Sequence, residues 1–338
     1  MSTHGVVYLV FGVLLVLALL FDLGLLSKKN KTITIRQALY QTVFWVSLAL
    51  IFFVFLWIEG PGLSKDNISV RNGETSSGAH LAFEFLSAYL MEWSLSIDNI
   101  FVFILIFTSF GVKEKHYPRV LLLGILMAIV FRVVFISVGV VLVAEFSWIL
   151  YLFGAFLIYT GYRMFTSTDD EDYDPHDSRV YHFLKRFLPL VNHDGDGKYV
   201  VRENGKRWYT SLFVVVFLLA AIDIVFALDS IPAVMGISKD PLVIYTSNIL
   251  AVLGLRSLFF LLRSAVSKFD YLQQGIAIVL VFIGVKMLGE HFIDQWMSRT
   301  AQVFLSLGVI LLCIFGSILY SMRKNRKNLP EDVSDGSL

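Results

Sequence analysis

Long apolar runs separated by short polar segments set the pattern of this chain. A helix that crosses a bilayer needs roughly 20 apolar residues, because each backbone polar group must be satisfied within the segment. Nine runs meet that need: 6–26, 39–59, 80–111, 118–142, 147–166, 211–236, 243–264, 273–290 and 301–322. The pattern predicts an all-α, polytopic membrane protein of about nine transmembrane helices. The first run is long and lacks a small-residue cleavage signal, so it reads as a retained span.

The polar segments are unequal. Residues 167–210 form one sizeable polar loop, and its stretch KYVVRENGKRWYT reads as a hairpin turning at Asn204-Gly205. NHDGDG (Asn192 to Gly197) resembles the opening of a calcium loop but lacks the later acidic ligand. The tail 323–338 reads as disordered from Asn328 onward.

Composition agrees with the pattern. Apolar residues make up 57% and charged residues 16% of 338, against about a quarter charged in a soluble domain. Mean hydropathy is +0.71. The net charge of +1 gives no footprint for nucleic acid, and one cysteine, Cys313, gives neither a disulfide framework nor a thiolate metal site.

Basic residues then orient the spans. Twenty-one lysines and arginines fall after odd-numbered spans, with eight of them in 167–210 and four (Arg323, Lys324, Arg326 and Lys327) after the ninth. Only Lys65, Arg71, Lys239 and Arg299 lie on the other side. The positive-inside rule therefore places the N-terminus outside and the C-terminus in the cytoplasm.

Two stretches repeat. The third span reads Glu92-Trp-Ser-Leu-Ser-Ile-Asp98-Asn99-Ile, and the sixth reads Asp223-Ile-Val-Phe-Ala-Leu-Asp229-Ser230-Ile. The following spans each carry one arginine, Arg132 in VFRVVF and Arg256 in GLRSLFF. The third members match as GYRMF at Gly161 and GVKML at Gly284. The chain thus divides into two N-terminal helices (1–59), a first three-helix unit (80–166), the polar loop (167–210), a second unit (211–290), a last helix (301–322) and the tail. Units with an odd number of helices insert with opposite orientation, an inverted repeat of the kind transporters use around a midplane site.

The acids inside the spans are expensive. Each ionised carboxylate at the bilayer centre costs roughly 2.5–3.5 kcal/mol, so Glu92, Asp98, Asp223 and Asp229 together cost on the order of 10 kcal/mol unless compensated. Arg132 and Arg256 could each neutralise one acid in a static polar core. Two arginines against four acids leave surplus negative charge, which favours a cation site. Asp98 and Asp229 are its leading ligands, Glu92 and Asp223 second ligands or protonatable partners, and Asn99 and Ser230 neutral oxygens. Asp22, Glu84 and Asn248 are weaker pathway candidates. Ser94, Ser96 and Thr108 read as side chains bonded to helix carbonyls.

A spacing of six turns the two acids of each copy about 120° apart. Pro232 frees a carbonyl upstream. Breaks in the helices near Asp98 and Asp229 are therefore expected, their freed carbonyls joining a shared oxygen cage. None of the seven histidines sits mid-membrane, and an oxygen-only site suits a hard cation: magnesium, calcium or manganese. No prosthetic group is implied.

The runs EWSLSIDNIFVF, AIDIVFALDSIPAV, SNILAVLGLRSLFFLL and VFIGVKML resemble the TerC family, and the length and layout resemble its Alx-type members. The resemblance spans residues 5–325. It implies a bacterial inner-membrane protein of the lysine-exporter superfamily, not an enzyme, that exports Mn2+. The family name comes from tellurite resistance. The family's acidic motif residues carry over to Glu92, Asp98, Asp223 and Asp229; Ala220 stands where relatives often have glutamate. Proton exchange would fit titratable ligands. Two other classes compete: an intramembrane aspartyl protease, disfavoured because Asp229 sits in ALDSIP without flanking glycine, and a non-transporting scaffold of a metal or tellurite stress complex docking through 167–210. Oligomeric state is not legible.

Overall fold

The computed structural model describes residues 33–64, 78–166 except 147, 179–263 except 192 and 204, and 271–327, together with residues 7, 11–13, 15 and 16. The expected first span, with Asp22, lies almost wholly outside the described residues, as does the tail from Asn328. Helices dominate: α1 Ile35–Ser64, α2 Gly78–Ser109, α3 Tyr117–Glu145, α4 Ile149–Thr166, α5 Arg179–Phe187, α6 Ser211–Ile237, α7 Pro241–Leu262, α8 Leu272–Leu288, α9 Glu290–Trp296 and α10 Arg299–Lys327. Among the described residues, six helices are long and apolar enough to cross a membrane, and Gln273–Leu288 is a shorter apolar one. The 32-residue α2 carries Glu84, Glu92 and Asp98. This is a polytopic, all-α membrane protein.

The helix faces explain the packing. α7 is buried almost all round, from Leu242 to Phe260, and α1 and α2 close on it. By contrast α3 and α10 turn Val130, Val134, Val138, Leu312 and Phe315 outward, the apolar exterior a lipid-facing helix requires.

Packing follows the repeat. α2 packs on α7 as α6 packs on α3, while α2 meets its own counterpart α6 and α4 meets its counterpart α8. The α4–α8 contact is the closest of these. A methyl placed on Gly284 would fall 2.6 Å from the Gly154 carbonyl oxygen, and one on Gly161 would fall 2.7 Å from that of Ala277. Gly161 aligns with Gly284 in the repeat, and the same offset aligns Gly154 with Ala277. The two close contacts are therefore images of one another, as an inverted repeat demands. Small residues let helices approach where lipid supplies no hydrophobic drive. Gly284→Ala should therefore lower stability by about 1–3 kcal/mol, the usual cost of overpacking. Thermal unfolding in detergent would check this, with Gly308→Ala, which meets nothing within 4 Å, as the neutral control.

One expectation fails. Both α2 and α6 run unbroken through their acidic motifs, with Pro232 inside α6. A proline removes one backbone bond and sterically crowds one carbonyl; neighbouring helices in a bundle hold such a helix together. Freed carbonyls are therefore not the source of a cage.

The polar loop is structured. α5 leads into a hairpin, β1 Val200–Glu203 antiparallel to β2 Lys206–Tyr209, with Gly205 at φ 77° in the turn. Within NHDGDG, Asp194 pairs with Lys113 at 2.8 Å, tying the loop to the segment between α2 and α3. Gly197, at φ 86°, lies so close beneath His116 that a Cβ would fall 2.7 Å from the ring. The Lys113 ammonium beside Asp194 holds its carboxyl below the usual carboxylate range. A depressed folded-state pKa contributes stability above the unfolded value of about 3.9, lost as pH falls through the folded value. Loop docking should therefore hold at neutral pH and weaken below about pH 4. Asp194→Asn should speed amide exchange at Gly197 and Lys198 at neutral pH and remove that acid dependence.

Candidate functional site

A spacing of six turns the two aspartates of α6 onto different faces, and the structure uses both. Asp223 faces α3, where Arg132 grips it with two bonds, Nε to Oδ2 at 2.8 Å and Nη2 to Oδ1 at 3.0 Å. Arg132 Nη1 also donates to Glu92 of α2, to Asn248 Oδ1 of α7 at 3.2 Å and to Ser230 Oγ of α6 at 3.5 Å. Asn248 in turn donates to the Ile244 carbonyl. One guanidinium thus ties four helices. Arg132, Glu92, Asp223, Ser230 and Asn248 are all buried.

The network does not use every oxygen. Glu92 is fully buried, and its Oε2 has no hydrogen-bond partner among the described residues. Glu92 lines a cavity of about 240 Å³ whose polar wall includes Asn99, Thr160, Asp229, Ser230 and Gln273. Asp229 is half-buried there and accepts a hydrogen bond from Thr160 Oγ1 of α4 at 3.2 Å. Leu95, Met164, Phe226 and Leu280 supply the apolar remainder. Apart from the Met164 thioether, the neutral donors in this wall are oxygens or amides, and a set dominated by oxygen suits hard cations.

The sequence-predicted residues therefore separate into groups. Glu92, Asn99, Asp229 and Ser230 share the cavity, and Asp223 and Asn248 stand behind it on Arg132. Asp98 lies on helical backbone in α2 beside Asn99, and its side chain is outside the described residues. Arg256 is buried on α7. Glu84 sits elsewhere, accepting from Ser238 Oγ at 2.6 Å and lying 3.3 Å from His80 Nδ1, beside a small separate cavity near Lys239 and Asp294. Among the described residues no three of His, Cys, Asp and Glu come together as a ready-made metal cluster.

Thr160 and Gln273 were not legible as site residues. A threonine in an apolar helix ordinarily bonds to its own backbone, as Thr108 does to Ile104 and Ser94 to Leu90. Ser96 departs from that expectation, its buried Oγ having no hydrogen-bond partner among the described residues. Packing of α4 against α6 and α8 brings Thr160 to the repeat that carries Asp229 and Gln273.

A family model, Integral membrane protein TerC family, matches residues 77–329, which takes in both acidic motifs and Arg132. The chain belongs to the TerC family. Among TerC relatives, an uncharacterized membrane protein of Myxococcus xanthus, STKORF319, is 39% identical over 309 residues, 91% of this chain and 89% of its own. Alx of Photorhabdus laumondii, named a candidate membrane-bound redox modulator, is 39% identical over 282 residues, 82% of this chain and 84% of its own. Alx of Escherichia coli K12, named likewise, is 35% identical over 334 residues, 96% of this chain and 99% of its own. No solved structure matches the chain.

Proposed function

We propose that this TerC protein exports a hard divalent cation, manganese, across the bacterial inner membrane. The observation that carries the reading is the oxygen-lined cavity between the repeats, with Asp229 in its wall and Glu92 Oε2 buried beside it. Asp98, Asn99 and Ser230 complete the donor set in this reading. Arg132 holds Asp223 and one oxygen of Glu92, so one guanidinium faces two carboxylates and the surplus charge favours a cation. Protons exchanged at Glu92 and Asp229 would drive release.

The geometry suits one state of an alternating-access cycle. Arg163 near the end of α4 and Gln273 at the start of α8 line the cavity, and both helix ends adjoin the basic loops. With the N-terminus outside and the C-terminus in the cytoplasm, as the basic residues orient the chain, the cavity faces inward. At the opposite end of α2 and α6 the Ser238–Glu84 bond joins the two repeats.

The redox modulator name of the Alx relatives fits a mover of a redox-relevant metal. A dithiol within one chain does not, since Cys313 is the only cysteine. Manganese efflux from loaded liposomes tests the proposal, with calcium and zinc as competitors. The reading expects manganese flux that calcium inhibits more than zinc does. No flux above empty liposomes would favour the scaffold instead.

A further inference from the structure

α5 is only nine residues, about 13.5 Å of helix, less than half a hydrocarbon core. It nevertheless carries bare aromatic surface. Phe183 and Phe187 are 61% and 64% exposed, and their rings lie 4.7 Å apart. The opposite side is anchored: Leu184 is buried, Tyr181 meets Phe110 just past the end of α2 at 5.5 Å, and the helix packs on α6. α5 therefore sits at the level where two apolar helices leave the bilayer.

The angular order around α5 is informative. Taking Leu184 as the protein-facing direction, Phe187 and Phe183 lie about 60° and 100° to one side, and Arg186 about 160° round on that side. Lys185 lies about 100° to the other side. Packed face, aromatic stripe and basic flank thus follow one another, the order of a helix lying in a membrane interface. Arg186 lies 5.9 Å over the Phe187 ring, its charge held beyond the apolar stripe. The adjoining hairpin adds positive charge: Arg202 and Arg207 are exposed and directly paired across its strands. Like charges opposite one another are destabilising unless an anion lies near.

From this arrangement we infer that α5 is an interfacial anchor, its Phe183–Phe187 stripe seated in the acyl boundary and its basic flank bound to anionic lipid headgroups. Basic side chains beside a membrane are drawn to an anionic lipid surface. The surface is distinct from the acidic cavity and does not depend on what that cavity carries.

The test uses the full chain with Cys313→Ser, reconstituted in vesicles of phosphatidylcholine and phosphatidylglycerol. A bimane label is placed at Phe187→Cys or, on the outward side of α5, at His182→Cys. Bromine is carried on the acyl chains of one lipid at a time, at equal bulk fraction. Quenching at 187 should be at least twofold that at 182. At 187, brominated phosphatidylglycerol should quench more than brominated phosphatidylcholine, and Lys185→Gln with Arg186→Gln should erase that difference. Equal quenching at 182 and 187 would overturn insertion of the stripe. Equal quenching by the two lipids in the parent protein would overturn headgroup binding. A label at 187 reached by neither lipid would point to a protein partner on this face, and the lipid assignment would be wrong.

Discussion

Arg132→Ala should destabilise the protein by about 3–5 kcal/mol, the usual cost of removing one partner from a buried ion pair. The side chain is 1% exposed and, from α3, bonds to acceptors on α2, α6 and α7. Its removal strands Glu92 and Asp223 in a low-dielectric interior with no cation, and a void forms as well. Arg132→Lys should fall between, because an ammonium cannot reproduce the two-pronged grip on Asp223. Arg132→Met combined with Glu92→Gln and Asp223→Asn should recover much of the loss, since no stranded charge remains. Thermal and denaturant unfolding in detergent would measure all three. A triple variant as unstable as Arg132→Ala would show that shape, not charge, explains the loss.

Asp229→Asn should behave in the opposite way. Asp229 receives one hydrogen bond, from Thr160, and is half-buried at the cavity wall, so the amide fits with little structural cost. The thermal midpoint should hardly move. Manganese affinity should fall at least about tenfold, the effect of losing about 1.4 kcal/mol of charge-dependent binding. Titration of manganese into purified protein, read by calorimetry, separates this from Asp223→Asn. That substitution strikes the Arg132 network and should lower stability together with affinity.

The repeat was legible because it depends on side-chain type at fixed spacing. Acid, arginine and glycine recur in order, and the mirrored contacts of Gly161 and Gly284 follow from that order. The partners of each acid were less legible. A six-residue spacing says that Asp223 and Asp229 diverge, but it does not say which helix each one meets. Arg132 could have balanced one acid; in the fold it holds two, because Glu92 of α2 and Asp223 of α6 converge on it, a convergence that spacing along the chain does not specify. The proline signal misled for a physical reason: Pro232 removes a local bond, while the surrounding bundle holds α6 in helical form. Thr160 entered the site through long-range packing alone. The loop 167–210 was readable in its hairpin, yet α5 was not, since nine residues make only about two and a half turns, too short to stand out beside the long apolar spans.

Manganese flux in proteoliposomes, compared among the parent protein, Asp98→Asn and Asp229→Asn, tests the cation cavity most directly. The account predicts robust flux in the parent and loss of most of it in both variants, with folding intact by thermal midpoint. Flux unchanged in both variants would contradict it.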